Sequence, residues 1–317
     1  MTRVGVVDLG TNSTRLLVAD VVDGKVDEVV RRTTITRLGE GVDARRILLP
    51  APIARVRNCL ADYRREAEDL AADQVLAIAT SAVRDAGNGE AFLGELEWSF
   101  GFSTRLLSGE EEALLTFRGV TAERPVEAPL LVLDVGGGST EIVVGDRDGV
   151  HYHRSFDIGS VRLTERFLAT DPPSPEELAA CSAAVRAAVA ETPALEAASA
   201  VGVAGTVTTL AALDLELAVY DPERVHGHRL ALATVEGQLA RLAALPLEER
   251  RAVTGLEPER APVILGGIVI VLETLRRFGL AELEVSERDI LDGAALEAAA
   301  LPPRPEGEAP PGAYTCC

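Results

Sequence analysis

Several residue types are scarce in this sequence, and each scarcity excludes a class of protein. Only four histidines, one methionine and one tryptophan occur among 317 residues. The four cysteines, Cys59, Cys181, Cys316 and Cys317, have neither the density of a disulfide framework nor the spacing of a metal site. A reducing, cytoplasmic environment is therefore predicted.

Long hydrophobic runs are also missing. The most apolar stretch, Val263–Leu272, contains two glycines and is followed by Glu273, so it is well short of the roughly 20 residues that a membrane helix needs. Because Met1–Arg3 leads directly into a predicted strand, we expect no secretory leader and no membrane association.

Positive charge is in the minority. The formal net charge is −19, and Lys25 is the only lysine among the 31 basic residues. This charge argues against nonspecific nucleic-acid binding, which needs a basic surface to displace counterions. A polyanionic substrate is repelled at long range as well, so phosphate binding requires a local arginine cluster, backbone N–H groups and a divalent cation.

One segment of the chain occurs twice. Val6–Val18 recurs, without a gap and with changes, as Val132–Val144. In each copy an apolar run ends at an aspartate, small hydrogen-bonding residues follow, and a second apolar run begins, which predicts a strand, a turn and a strand. The main charge difference is Arg15 in the first copy against Glu141 in the second.

The repeat and the chain length both predict two domains. A proline-containing stretch of mixed charge, Thr121–Pro129, is the best boundary. We therefore predict a first domain over residues 1–125 and a second over residues 126–300. Residues 301–317 contain five prolines and almost no large apolar residue, so they are predicted to form a disordered tail.

The two hairpin loops are candidate phosphate-binding loops. Glycine lets the backbone approach a ligand closely, so that several N–H groups can meet phosphate oxygens. Any tight hairpin also favours glycine, asparagine and serine, which is the alternative explanation. The candidate residues are Gly10, Thr11, Asn12, Ser13 and Arg15 in the first loop, and Gly136, Gly137, Gly138 and Ser139 in the second.

Carboxylates flank these loops in the sequence. Asp134 and Glu141 flank the second loop, and Asp8 precedes the first. Hard cations such as Mg²⁺ or Mn²⁺ bind between carboxylate and phosphate oxygens, so these three residues are candidate metal ligands. The alternative is that they are solvated strand ends.

Two further strand-to-helix turns are candidate anion sites. Arg84 follows Thr80 and Ser81 just after a predicted strand, which places hydroxyls, helical N–H groups and a guanidinium together. A surface ion pair with Asp85 or a nearby acid explains Arg84 as well. Gly205 and Thr206 lie where another buried strand gives way to a helix, and an ordinary strand-to-helix turn is the competing explanation.

Ser108-Gly109-Glu110-Glu111 has the form of a capping box and predicts a helix that runs to about Val120. Spacing alone does not distinguish the next residue, Glu112, from its acidic neighbours. The histidine pairs, 151 with 153 and 226 with 228, lack a third ligand at a recognisable spacing, so we predict no zinc site from them.

The order and spacing of four segments resemble the exopolyphosphatase and guanosine pentaphosphate phosphohydrolase (Ppx/GppA) family, in its short two-domain form. They are Val6–Ser13, Ala79–Asn88, Ser108–Ala113 and Asp134–Glu141. The resemblance implies an α/β fold with two actin-like (ribonuclease H-like, sugar-kinase/actin superfamily) domains and an interdomain cleft. It also implies a homodimer.

The same resemblance implies roles for residues. Glu112 would orient and deprotonate the attacking water, Asp134 and Glu141 would help to hold the catalytic metal, and Arg84 would contact phosphate. A carboxylate is an adequate base for water when a metal and hydrogen-bond donors stabilise the transferred phosphoryl group.

The function implied is metal-dependent hydrolysis of the terminal phosphoanhydride of inorganic polyphosphate. Guanosine pentaphosphate or another nucleotide is the alternative substrate. An actin-like or sugar-kinase ATPase would need an adenosine pocket and an acceptor-sugar site, for which the sequence gives no positive sign. A non-catalytic sensor would not need Glu112.

Overall fold

The structure is a computed structural model that describes residues 1–302. The chain divides into two compact units, which are Arg124–Asp289 and, around it in sequence, Met1–Glu123 together with the segment that starts at Ile290. Most of the predicted tail, including Cys316 and Cys317, lies outside the described residues.

The first unit is built on a five-stranded sheet. Its strands are β1 (Thr2–Leu9), β2 (Ser13–Val22), β3 (Lys25–Ile35), β4 (Gln74–Ala79) and β5 (Ser103–Leu106). Its helices include α1 (Val42–Arg45), α2 (Pro50–Asp69), α3 (Ser81–Arg84), α4 (Gly89–Phe100) and α5 (Gly109–Thr121). The strand order is β3-β2-β1-β4-β5, in which β1–β3 form an antiparallel meander and β4 and β5 run parallel to β1.

The second unit is built on a six-stranded sheet. Its strands are β6 (Leu130–Val135), β7 (Thr140–Asp146), β8 (Gly149–Phe156), β9 (Ser199–Val203), β10 (Arg229–Ala231) and β11 (Glu282–Val285). Its helices are α6 (Ser160–Phe167), α7 (Pro175–Val189), α8 (Ala204–Asp214), α9 (Pro222–Val225), α10 (Leu232–Ala243), α11 (Leu247–Arg250) and α12 (Ile264–Phe278). The strand order is β10-β11-β9-β6-β7-β8.

Both sheets therefore repeat one plan. An antiparallel meander of three strands is extended on the side of its first strand by two strands that run parallel to it. The second sheet adds the antiparallel edge strand β10. The first strand of each meander is central, and both β1 and β6 are buried along most of their length, as their continuous apolar runs predict. The predicted α/β fold with two ribonuclease H-like, actin-like units is confirmed.

The last helix, α13 (Ile290–Ala298), packs in the first unit and not in the second. It contacts α5 and β1, and Leu291, Ala294 and Ala295 are fully buried there. The approach to α5 is so close that a Cβ on Gly293 would lie 2.0 Å from the Leu115 carbonyl oxygen. The predicted second domain, residues 126–300, therefore includes a helix that belongs to the first structural unit. Sequence order alone does not reveal which core an apolar helix covers.

Within residues 1–302, no helix combines the length and the apolar character that a bilayer span requires. The apolar run before Glu273 forms α12, whose residues Ile264–Leu275 are buried in the core of the second unit.

Candidate functional site

The first hairpin carries an internal ion pair. Asp8 and Arg15 face each other across β1 and β2, and the Nε and Nη2 atoms of Arg15 donate to Oδ2 of Asp8 at 2.9 and 2.7 Å. Both side chains are largely buried. The Asp8 carboxylate therefore shares its Oδ2 with a guanidinium, and its role as a metal ligand stays a prediction.

The first loop is held by the segment that follows β3. The Asn12 carbonyl accepts hydrogen bonds from the amides of Thr36 and Arg37, and the Thr11 carbonyl accepts one from Gly39. A Cβ on Gly39 would lie 2.2 Å from the Thr11 methyl group, so only glycine fits this contact. The segment after β3 thus holds the loop in its conformation. The residues of the loop alone do not reveal these contacts.

Within each loop the first glycine closes the turn. The amides of Gly10 and Gly136 donate to the Ser13 and Ser139 carbonyls at 3.0 and 3.1 Å. In the described part of the chain, by contrast, the Thr11, Asn12, Gly137 and Gly138 amides have no backbone acceptor. These four N–H groups are the ones that each loop can offer to an anion.

The second hairpin carries two carboxylates where the first has an ion pair. Asp134 and Glu141 face each other across β6 and β7 and are 6% and 1% exposed. The Ser155 hydroxyl donates to Oε1 of Glu141 at 2.6 Å. A buried carboxylate is stabilised by hydrogen bonds or by a nearby cation.

The donor set fits a magnesium-like ion. No group of three or more histidine, cysteine or acidic residues arranged to hold a metal occurs in residues 1–302, which argues against a site made of protein ligands alone. Magnesium is usually held by one or two carboxylates together with substrate phosphates and water. Asp134 and Glu141, beside a loop with available amides, match that second pattern.

Residues of helix α6 hold the second loop in place through hydrogen bonds to its carbonyl groups. The amides of Ser160 and Val161 donate to the Gly136 and Gly137 carbonyls at 2.9 Å, and the buried Arg162 donates its Nε to the Gly138 carbonyl at 2.7 Å. A Cβ on Gly159 would lie 2.4 Å from the Gly137 carbonyl. Sequence reasoning missed Gly159 and Arg162, because nothing in their spacing connects them with the loop.

Arg84 and Glu112 meet in the first unit. Arg84 ends α3 and donates its Nη1 to the Leu107 carbonyl at 2.8 Å and to Oε2 of Glu112 at 3.2 Å. Glu112 is 8% exposed and lies in the first turn of α5. Asp85 approaches Arg46 at 3.9 Å, so the acid that pairs with Arg84 is Glu112, and the phosphate role of Arg84 stays a prediction.

The orientation of Glu112 follows from the cap of its helix. Ser108 Oγ accepts from the Glu111 amide, and the Glu111 side chain accepts from the Ser108 amide, which confirms the predicted capping box. With Glu111 occupied at the cap and Glu110 exposed, Glu112 is the acidic side chain of this turn that is buried against Arg84.

The corner at the start of α8 contains an arginine that the sequence did not predict. Arg260 packs on Gly205 so closely that a Cβ there would lie 1.9 Å from its Nη1, and its Nε pairs with Glu257 at 2.8 Å. Thr206 is buried against Gly267 of α12. Ala204, with φ of 67°, holds the left-handed conformation that normally favours glycine.

The histidines have other partners. His151 pairs with Asp146 and His228 with Asp214, both at 2.8 Å, and Nδ1 of His226 accepts from the Glu287 amide. These contacts lie at strand and loop ends and bring no further metal-ligating side chain into a group of three within the described residues.

The candidate residues fall into two sets, one in each unit. The first unit holds the loop at Gly10–Ser13, the Asp8–Arg15 pair and the Arg84–Glu112 pair. The second unit holds the loop at Gly136–Ser139, the carboxylates Asp134 and Glu141, and the corner at Gly205 and Thr206.

Comparison with known proteins gives relatives along nearly the whole chain. Residues 17–299 match the model of the Ppx/GppA phosphatase family. The chain is 41% identical to exopolyphosphatase 2 of Mycobacterium tuberculosis, over 94% of this chain and 99% of that protein. It is 28% identical to the guanosine-5'-triphosphate,3'-diphosphate pyrophosphatase of Aeromonas hydrophila, over 90% of this chain and 57% of that protein.

A solved structure of a family member has a similar fold. The Ppx/GppA family member of Aquifex aeolicus superposes with a TM-score of 0.80 at 33% identity, covering 94% of this chain and 98% of that one. A family model that spans most of the chain, a full-length relative above 40% identity and a shared fold agree with one another. The chain belongs to the Ppx/GppA phosphatase family.

Proposed function

We propose that this protein is an exopolyphosphatase, which hydrolyses the terminal phosphoanhydride bond of inorganic polyphosphate and releases orthophosphate. The observation that carries the proposal is the contact between Arg84 and the buried Glu112. A guanidinium that binds phosphate oxygens and a carboxylate that binds water are then next to each other, as attack of water on phosphorus requires.

In the proposed reaction Glu112 orients a water molecule and accepts its proton as the water oxygen attacks the terminal phosphorus. The bridging oxygen leaves with the shortened chain. Arg84 and the first-loop amides at Thr11 and Asn12 bind the non-bridging oxygens, where negative charge has to be stabilised.

Asp134 and Glu141 would hold a divalent cation, Mg²⁺ or Mn²⁺, which would neutralise charge on phosphate oxygens bound at the second loop. Asp8 is assigned a different role from these two. Because it shares its Oδ2 with Arg15, we assign it to orienting that guanidinium towards phosphate.

The relatives support both substrates that the sequence left open. The full-length relative is named an exopolyphosphatase, which favours polyphosphate. The Aeromonas relative is named for a guanosine nucleotide, but this chain spans little more than half of that protein. Guanosine pentaphosphate therefore remains the second candidate.

The experiment is phosphate release measured side by side on long polyphosphate, tripolyphosphate and guanosine pentaphosphate. Glu112→Gln keeps the size of the side chain but removes the base, so we expect turnover to fall by roughly 10²–10⁴-fold. Glu110→Gln is the matched control, since Glu110 lies exposed in the same helical turn, and it should retain normal turnover.

Near-normal turnover by Glu112→Gln would refute the assigned mechanism. Release from guanosine pentaphosphate alone, with none from either polyphosphate, would refute the proposed substrate and favour the second candidate.

A further inference from the structure

The segment Thr36–Leu48 connects β3 to α2 and contains α1; we call it the arginine strap. It carries Arg37, Arg45 and Arg46. The proposed reaction at the terminal phosphate uses none of these three residues.

The strap packs against both candidate phosphate segments of the first unit. At one end Thr36, Arg37 and Gly39 donate to the carbonyls of the first loop. At the other end the Asn88 side chain donates to the Leu48 carbonyl and accepts from the Leu48 amide, at 3.0 and 2.8 Å. The Gly87 amide also donates to the Arg46 carbonyl at 2.8 Å. The strap thus lies beside the loop at Gly10–Ser13 and beside the segment that follows Arg84.

The strap begins a stretch that has a positive net charge, whereas the chain as a whole is negative. Residues 37–57 contain five arginines and two carboxylates, whereas the whole chain has a net charge of −19. One of those carboxylates, Glu40, is paired with Arg55 at 2.7 Å. A local excess of arginine in an acidic protein concentrates polyanions at that place and not elsewhere on the surface.

The guanidinium groups of Arg45 and Arg46 are accessible. Both residues are exposed, and the Arg46 side chain is 60% exposed. Arg46 lies 3.9 Å from Asp85, at the limit of an ion pair.

The backbone of the strap is strained at two of its arginines. Arg37 and Arg46 have φ angles of 51° and 55°, and Arg46 caps the C-terminus of α1, a position at which glycine is the usual residue. An arginine there has a less favourable backbone conformation than glycine would have. Strain of this kind is typical of binding sites, where the side chain has a use.

We propose that the arginine strap is a second subsite, which binds the inner phosphates of a linear polyphosphate while its terminal phosphate is hydrolysed. This inference rests on the proposed function. The strap contains no aromatic side chain on which a nucleobase could stack, whereas guanidinium groups suit phosphate oxygens. The subsite therefore favours a chain of phosphates over a nucleotide.

The test is steady-state phosphate release by the full-length chain carrying Arg45→Ala and Arg46→Gly together. We expect KM for long polyphosphate to rise by about tenfold at low salt, with kcat nearly unchanged. The rise for tripolyphosphate should be much smaller, because that substrate has fewer inner phosphates for the strap to bind. The slope of log KM against log salt should also fall, by roughly one for each arginine that no longer binds a phosphate.

Arg57→Ala is the matched control, because Arg57 is an exposed arginine of the same stretch that is paired with Glu95. It should leave KM and the salt slope as they are. Arg46→Gly alone should not lower the thermal midpoint, since glycine relieves the left-handed backbone, and this separates weaker binding from weaker folding.

Equal KM values and equal salt slopes for the double variant and wild type would overturn the subsite. So would an equal rise in KM for tripolyphosphate and for long polyphosphate. Either result would leave the proposed function standing, whereas failure of the wild-type protein to release phosphate from any polyphosphate would refute the function itself.

Discussion

At the scale of the residue, one difference separates the chemistry of the two hairpins. Arg15 and Glu141 occupy equivalent positions, each opposite an aspartate on the neighbouring strand. In the first hairpin a guanidinium faces a carboxylate, whereas in the second hairpin two buried carboxylates face each other. This difference is the reason that we propose an anion at the first hairpin and a cation at the second.

The metal role can be tested at these residues. Asp134→Asn and Glu141→Gln each remove one negative oxygen donor, so the concentration of Mg²⁺ or Mn²⁺ needed for half-maximal phosphate release should rise by roughly tenfold or more. The measurement is a metal titration after treatment with a chelator. Asp146→Asn, on the same strand as Glu141 but paired with His151, is the control. Unchanged titrations in both test variants would remove these residues from a metal site.

At the scale of the element, α5 shows how local sequence positions a buried side chain. Its capping box fixes the first turn, and the first turn carries Glu112. The Ser108 amide, and after it the Arg105 guanidinium, lower the pKa of Glu111 from its ordinary 4.5 to about 2. The ionised Glu111 carboxylate therefore stabilises the folded state at pH values above 4.5, and this contribution is lost as the pH falls towards 2.

Two substitutions test this cap. Ser108→Ala should lower the free energy of unfolding by about 1 kcal/mol at neutral pH. Glu111→Gln should also destabilise the protein at neutral pH, and its difference from wild type should shrink as the pH falls from 4.5 towards 2. Denaturant unfolding at several pH values measures both effects. A difference for Glu111→Gln that grows in acid would contradict the assigned pKa direction.

At the scale of the whole molecule, the chain leaves its first unit after Glu123 and returns to it at Ile290. Helix α13 then covers β1 and α5 with residues that are almost fully buried. The core of the first unit is therefore complete only after the chain has passed through the second unit and returned. Its stability depends on contacts between residues that are far apart in sequence.

Leu291→Ala should therefore destabilise the first unit by about 2–5 kcal/mol, as expected for truncation of a fully buried leucine. Native-state hydrogen exchange should show reduced protection in β1 and α5, with little change in α12. Leu275→Ala, at an equally buried position of α12, is the control and should give the reverse pattern. Reduced protection confined to α12 after Leu291→Ala would contradict the assignment of α13.

Much of the fold could be predicted because its signals are local. The repeated hairpin, the capping box at Ser108–Glu111 and the longer helices follow from apolar periodicity and capping residues. Four of the shortest elements, α1, α9, β10 and α11, carry too few positions for a period and were not predicted.

The candidate site was predictable only in part, for the same reason. By itself the sequence identified as candidates the two loops, the carboxylates Asp134 and Glu141, and, through a family resemblance, Glu112. Only the tertiary structure decided that Arg84 contacts Glu112 and that the strap holds the first loop. Turn and strand patterns are encoded within a few residues, whereas the partner of a charged side chain depends on which distant segments the fold brings together.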